Sequence, residues 1–344
     1  MSAAETSGAT MPGAMRSVAV VGGGAFGTAL ALVAARAGRR AVLVARDAET
    51  VAAINGQARN PRYLGDLVLE PAIVATTDIG AVAKADLVVL AVPAQATRAA
   101  ARDLSGVVRP GVPVIAAAKG LENGTHAVMT DIIAAELPQA APACLSGPSF
   151  AADIARGLPT ALTVAAADMD LAEALAQALT SPSFRPYASD DLIGVQIGGA
   201  LKNVLAIGAG MVVGRGLGAS AQAALVARGF AELARLGRAL GGRTETLMGL
   251  SGLGDLVLTA TSPQSRNFSL GLAIGEGGSV AALTGAGTKL AEGATTAAVA
   301  VRFAAERDVE LPIAAAVAAV LSGRLSVDGA VESLMSRPLK REVE

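Results

Sequence analysis

The stretch Val18-Ala19-Val20-Val21-Gly22-Gly23-Gly24-Ala25-Phe26-Gly27 decides how the first half of the chain is read. A β-branched run reads as a strand, and the alanine- and leucine-rich residues 28–37, closed by Gly38, read as a helix. Between them, Gly22, Gly24 and Gly27 have the spacing of a dinucleotide-binding turn. The first glycine makes the turn, the second lets backbone approach a pyrophosphate, and the third lets helix and strand pack closely. N–H groups at the helix start would then hold phosphate. A purely structural glycine turn is the competing reading of the same residues.

Working outward, residues 41–45 read as a second strand ending in Arg46 and Asp47. An acidic side chain there accepts from a ribose 2′-hydroxyl, whereas a guanidinium takes a 2′-phosphate. Arg46 therefore favours NADP(H), and the adjacent Asp47 keeps NAD(H) as the alternative. The polar residues 55–64 read as a loop over the first helix. Uninterrupted apolar runs at 87–92 and 112–117 fit parallel strands buried on both faces. The second run leads into Lys119, at the strand end where ligands bind in open α/β sheets; an exposed loop lysine is the other reading. Residues 143–146, 162–166 and 184–187 read as further strands, with Gly147-Pro148-Ser149 a tight turn bearing a hydroxyl.

Beyond residue 190 strand-like runs largely disappear, and helical periodicity takes over at 199–213, 219–240, 295–307 and 314–321. The expected fold is an α/β Rossmann domain, a mostly parallel doubly wound sheet over 17–190, followed by an all-α domain over 191–344. Residues 1–16 are expected to be a disordered tail.

Lys202 and Asn203 stand side by side in the apolar segment 197–213, IGGALKNVLAIGAGMVV. A buried unpaired ammonium costs several kcal/mol or gives up its proton. Lys202 thus reads either as a lysine whose head snorkels to solvent or as a buried functional charge. Asp255, among glycines and apolar residues, reads as a helix cap or as a carboxylate partner for a lysine. Arg266 and Asn267 suit a phosphate, a planar donor fork beside an amide, or form a solvated turn.

Composition excludes several classes. With Lys+Arg 28 against Asp+Glu 29, the net charge of −1 gives no electrostatic case for nucleic acid or an anionic membrane surface. Mean hydropathy is high at +0.52, yet no run reaches the ~18 uncharged apolar residues of a spanning helix, so no stable membrane insertion is expected. Residues 1–16 contain Glu5 and no apolar core, unlike a secretory signal, and a cytoplasmic location is expected. One cysteine and one histidine cannot make an intrachain disulfide or a Cys/His zinc site, and no metal is expected. Cys144 reads as a buried thiol. His126 reads as a structural histidine early in a helix.

The segments GGGAFGTALA (22–31), NPRYL (60–64), AAKGLE (117–122), SGPSFA (146–151), GALKNVLAIGAG (199–210), GLGDLVLTATSPQSRN (252–267) and LAEGATTA (290–297) complete the pattern. In this order and at these intervals they resemble the bacterial NAD(P)-dependent glycerol-3-phosphate dehydrogenases, over about residues 17–337. The resemblance implies reduction of dihydroxyacetone phosphate to sn-glycerol 3-phosphate for glycerophospholipid synthesis. It also implies a homodimer, with which the apolar residues 219–240 agree. By resemblance, Lys202 is the catalytic lysine, Lys119 touches cofactor and substrate, and Asp255 is the carboxylate beside the reactive centre. Gly147, Ser149, Ser265, Arg266 and Asn267 fall on substrate-side positions. Gly22, Gly24, Ala25, Phe26, Gly27, Arg46, Ala151, Leu290 and Glu292 fall on cofactor-side positions, with Arg266 near both ligands. Phe26 replaces a tryptophan common in that turn, Ala94 stands where many relatives carry serine, and the segment before Arg16 is longer than typical. Two readings from other classes compete: a two-domain dehydrogenase for a small hydroxyacid, and a nucleotide sensor that keeps the fold without turnover.

Overall fold

β-Branched and apolar runs form the sheet, and glycine turns return the chain between strands. The computed structural model describes residues 15–69, 73–285, 291–339 and 341. Eight strands are present among the described residues: β1 (Ser17–Val21), β2 (Arg40–Val44), β3 (Val74–Thr76), β4 (Leu87–Leu90), β5 (Pro113–Ala116), β6 (Ala141–Ser146), β7 (Thr160–Ala166) and β8 (Phe184–Ser189). Their spatial order is β3-β2-β1-β4-β5-β6-β7-β8. All neighbours run parallel except β6 and β7, which pair antiparallel with Ala143 opposite Ala166. Val18, Val20, Leu43, Leu87 and Ile115 lie fully inside, as expected for strands covered on both faces. The chain leaves β1 where the strand order changes direction, between β2 and β4, so the glycine turn sits at the topological switch point.

After β8 the chain enters the helix Leu192–Gly214, started by the Asp191 carboxylate, which accepts from Gly194 N at 2.8 Å and from Arg243 N at 2.8 Å. Every residue of this helix from Gly194 to Val212 is buried. Two of its leucines, the fully buried Leu201 and Leu205, each contribute about 1.5–3 kcal/mol by leaving water. Among the described residues it is the one helix long and apolar enough to cross a membrane, with mean hydropathy 1.5; 89% of that stretch is buried inside the molecule. The helices Ala219–Ala239, Asp255–Thr261, Arg266–Gly275, Glu292–Ala305 and Pro312–Leu321 surround it.

The tightest contact is with Arg266–Gly275. A Cβ on Gly210 would lie 2.1 Å from the Phe268 carbonyl oxygen, and one on Gly271 would lie 2.0 Å from that of Ile207. Gly214 and Gly275, four residues further on, repeat the contact. Paired small residues at this spacing let two helix axes approach closely.

Three local expectations are corrected. Residues 55–64 are not a continuous loop: the helix Ala48–Gln57, capped by Asp47, and the one-turn helix Pro61–Leu64 occupy most of the region. His126 lies outside any helix, at φ +60°, with its ring edge-on to Phe303 and Nδ1 3.3 Å from Glu306 Oε2. Met15, assigned to the tail, is buried in the sheet's core, and Arg16 N donates to Asp86 Oδ2. Residues 1–14 lie outside the described residues.

Candidate active site

The glycine turn supplies the first wall. At Gly22 (φ +127°) a Cβ would meet the Ala91 carbonyl oxygen at 2.4 Å, and at Gly27 it would meet that of Gly22 at 1.9 Å, so neither position admits a side chain. At Gly24 a Cβ would meet nothing within 4 Å, so the turn is tight on its inner side and open on its outer side. The helix Ala25–Arg36 begins there without a side-chain cap, leaving its first N–H groups without intrahelical acceptors. This open, donor-lined turn fits a dinucleotide pyrophosphate, with Ala25 and Phe26 on its rim.

At the end of β2, Arg46 is exposed. Asp47 is committed elsewhere: its carboxylate accepts from Glu49 N at 3.2 Å, Thr50 Oγ1 at 2.6 Å and Arg62 Nη1 at 3.3 Å. The two residues that compete in the sequence are thus separated, one capping a helix and the other facing solvent.

The polar centre forms where the carboxyl ends of β5 and β6 meet the helix Leu192–Gly214. Asp255, fully buried, receives Lys119 Nζ on Oδ2 at 2.7 Å and Lys202 Nζ on Oδ1. Lys119 also donates to the Gly147 carbonyl at 3.0 Å, which accepts from Ser149 Oγ at 3.0 Å as well. Lys202 donates to Thr259 Oγ1 at 3.0 Å, and Thr259 donates to the Asp255 carbonyl at 2.6 Å. Two ammonium groups on one carboxylate leave one positive charge unmatched, an arrangement suited to an anionic ligand.

Burial lowers the Lys202 ammonium to about 7; Asp255 opposes that shift and the Lys119 charge adds to it. Burial raises the Glu292 carboxyl, against the pull of Arg266, Lys119 and Lys202, which puts Glu292 within the field of all three cations. Glu292 opens the helix Glu292–Ala305. Leu290 lies outside the described residues.

Arg266 and Asn267 open a helix instead of forming a turn, with Ser265 Oγ as its cap, accepting from Phe268 N at 3.2 Å. Arg266 is exposed, while Asn267 turns inward. Its Nδ2 donates to Asn203 Oδ1 at 3.0 Å and its Oδ1 accepts from Gly293 N at 2.9 Å. Asn203 and Asn267 therefore tie the helices carrying Lys202, Arg266 and Glu292 together. Ala151 begins the helix Ala151–Ala155 after Ser149.

Sequence reasoning missed Thr259. It lies four residues after Asp255 on one helix, and side chains at that spacing share a face, so the spacing itself held the signal. The expectation for Cys144 agrees with the structure: the thiol is buried, and burial pushes its pKa up.

Two family models cover the chain, the N-terminus of NAD-dependent glycerol-3-phosphate dehydrogenase over residues 17–172 and its C-terminus over 191–332. The glycerol-3-phosphate dehydrogenase [NAD(P)+] of Bradyrhizobium sp. (strain ORS 278) is 57% identical over 327 residues, 95% of this chain and 98% of the relative. The crystal structure of glycerol-3-phosphate dehydrogenase from Coxiella burnetii superposes with a TM-score of 0.88 at 35% identity, covering 94% of this chain and 99% of that one. The glycerol-3-phosphate dehydrogenase of Saccharomyces cerevisiae matches with a TM-score of 0.78 at 25% identity, covering 92% and 99%.

Proposed function

Because the chain belongs to the NAD-dependent glycerol-3-phosphate dehydrogenase family, we propose that it reduces dihydroxyacetone phosphate to sn-glycerol 3-phosphate, with NADPH as the preferred reductant. The carrying observation is the Lys119–Asp255–Lys202 cluster, which unites a lysine after β5 with a lysine and a carboxylate of the helical half. When bound, the nicotinamide supplies the hydride.

Lys202 gives a proton to the carbonyl oxygen as the carbon is reduced and takes it back in the reverse direction. Its lowered pKa suits both directions near neutrality, a contribution of order 10² to 10⁴ in rate. Asp255 orients both ammonium groups, and Thr259, one turn on in the same helix, accepts a second hydrogen bond from Lys202. Lys119 spans cofactor and substrate from the strand end. Arg266, exposed at a helix N-terminus, takes the substrate phosphate together with the first N–H groups of its helix, the Ser265 hydroxyl and the remaining N–H of Asn267. Gly147, Ser149 and Ala151 line the neighbouring turn between substrate and cofactor, and Glu292 with Leu290 borders the cofactor.

Preference for NADPH rests on Arg46 being exposed at the end of β2 while Asp47 caps a helix. A cytoplasmic homodimer feeding glycerophospholipid synthesis completes the proposal, supported by the family resemblance.

The test is NADPH oxidation with dihydroxyacetone phosphate and with unphosphorylated dihydroxyacetone. The phosphorylated ketone should be favoured by roughly 10²-fold or more, because without it Arg266 and the helix N–H groups are left unpaired. Lys202→Met should lower kcat by about 10² to 10⁴ while still binding NADPH. Near-normal turnover in that variant, or equal rates with the two ketones, would sink the assignment.

A further inference from the structure

Asn60 is fully buried and touches none of the cluster just described. Its Nδ2 donates to the Gly23 carbonyl at 3.0 Å and to Thr28 Oγ1 at 2.8 Å. Thr28 Oγ1 passes the contact on, donating to the Gly24 carbonyl at 2.9 Å, and Thr28 N donates to the same carbonyl at 2.9 Å. Both donor positions of the asparagine are thus spent on the glycine turn. Its Oδ1 makes no hydrogen bond to the described residues, so the amide is oriented by its donor edge alone.

No peptide among the described residues is cis. In a trans peptide the N–H points opposite to the carbonyl of the preceding residue. Drawing the Gly23 and Gly24 carbonyls inward, toward Asn60 and Thr28, therefore turns the Gly24 and Ala25 N–H groups outward. They point away from Asn60 and Thr28, at a helix start that has no side-chain cap and where a Gly24 Cβ would meet nothing within 4 Å.

We propose that Asn60 is a positioning residue for the dinucleotide: through Gly23 and Thr28 it presets the Gly24 and Ala25 N–H groups as pyrophosphate donors. The inference rests on the cofactor lying on this turn. A turn held in the binding geometry before the ligand arrives loses no ordering entropy on binding, so the effect belongs to cofactor affinity and not to the chemical step.

The experiment compares wild type, Asn60→Ala, Thr28→Val and Thr28→Ser, by titration with NADPH and with adenosine 2′-monophosphate, by steady-state kinetics and by thermal melting. Adenosine 2′-monophosphate lacks the pyrophosphate and reports the Arg46 end alone. Asn60→Ala and Thr28→Val should raise the Kd and KM for NADPH about tenfold, the loss of roughly one charge-assisted hydrogen bond. Affinity for adenosine 2′-monophosphate and kcat at saturating NADPH should stay within about twofold, and Thr28→Ser, which keeps the hydroxyl, should behave as wild type. A folded Asn60→Ala with unchanged NADPH affinity overturns the proposal, and so does equal weakening of both ligands. If Asn60→Ala does not fold, Thr28→Val decides by the same criteria. Wild type that binds neither NADPH nor, in a parallel titration, NADH overturns the cofactor reading itself.

Discussion

Lys119 and Lys202 donate to the two oxygens of a single buried carboxylate, that of Asp255, although they stand 83 positions apart in the chain and belong to different halves of the fold. The Lys119 charge therefore adds to the burial that lowers the Lys202 ammonium.

Lys202, lowered to about 7, is mostly protonated below that pH and mostly neutral above it. Reduction needs the protonated form, so kcat/KM for the ketone should fall as pH rises through about 7, while oxidation of glycerol 3-phosphate should rise over the same interval. Lys119→Met removes a charge that pushes Lys202 down, so its residual reduction should persist to higher pH. Profiles from about pH 5.5 to 9.5 in both directions check this; a falling limb that stays in place or moves to lower pH in the variant contradicts it.

Gly199 sits one turn before Lys202, where a Cβ would lie 2.7 Å from Ser146 Oγ and 3.2 Å from Lys119 Cγ. Gly199→Ala should push the Lys119 side chain off Asp255 and cost about 1–3 kcal/mol of stability by overpacking. Activity should fall about tenfold or more, since small misplacements at a reacting centre are expensive. Melting and kcat/KM measured together would show it. A variant that is destabilised yet fully active would mean that the contact does not position Lys119.

Arg46→Ala should raise the KM for NADPH about tenfold or more through loss of a guanidinium–phosphate pair, with little change for NADH. Kinetics with both cofactors decide the matter: equal losses would remove Arg46 from the 2′-phosphate site.

Far from the cluster, Glu232 is buried and accepts from Ile313 N at 2.6 Å and Ala314 N at 3.2 Å, capping the helix Pro312–Leu321. Burial raises its pKa from the ordinary carboxyl value of 4.5 to about 7. The protonated form is favoured by folding, so this group's contribution to stability is fully present below about 4.5 and is lost as pH rises through about 7. Glu232→Gln removes that dependence. The Tm of wild type minus that of the variant should therefore shrink by a few degrees between about pH 5 and pH 8; a difference that grows with pH would contradict the sign.

Much of the architecture is legible because it rests on periodicity. The apolar strands, the glycine turn and the change to helical repeats near residue 190 each leave a local pattern. β3 does not, because its three residues are too few to show a period, and the antiparallel direction of β7 is set by packing across the sheet. Lys202 stands out because a charge in an apolar helix needs a partner. Asp47 and Arg46 cannot be told apart in sequence, since which one caps the next helix depends on where β2 ends. Asn267 is legible as a polar residue, but its inward turn toward Asn203 and Gly293 follows from how closely three helices approach, which no single segment encodes.

The glycine-to-backbone contact between Leu192–Gly214 and Arg266–Gly275 has a consequence for how such a site ages under mutation. Where helices meet through side chains, their spacing drifts as the side chains change size. Here main chain rests on main chain at Gly210 and Gly271, so the gap between the element bearing Lys202 and the element bearing Arg266 is a fixed gauge. The distance from Lys202 to Arg266 is thereby uncoupled from the composition of the surrounding core. Most of the helical half is free to vary its hydrophobic residues, while the spacing of these two helices is held by four residues that have no side chain to vary.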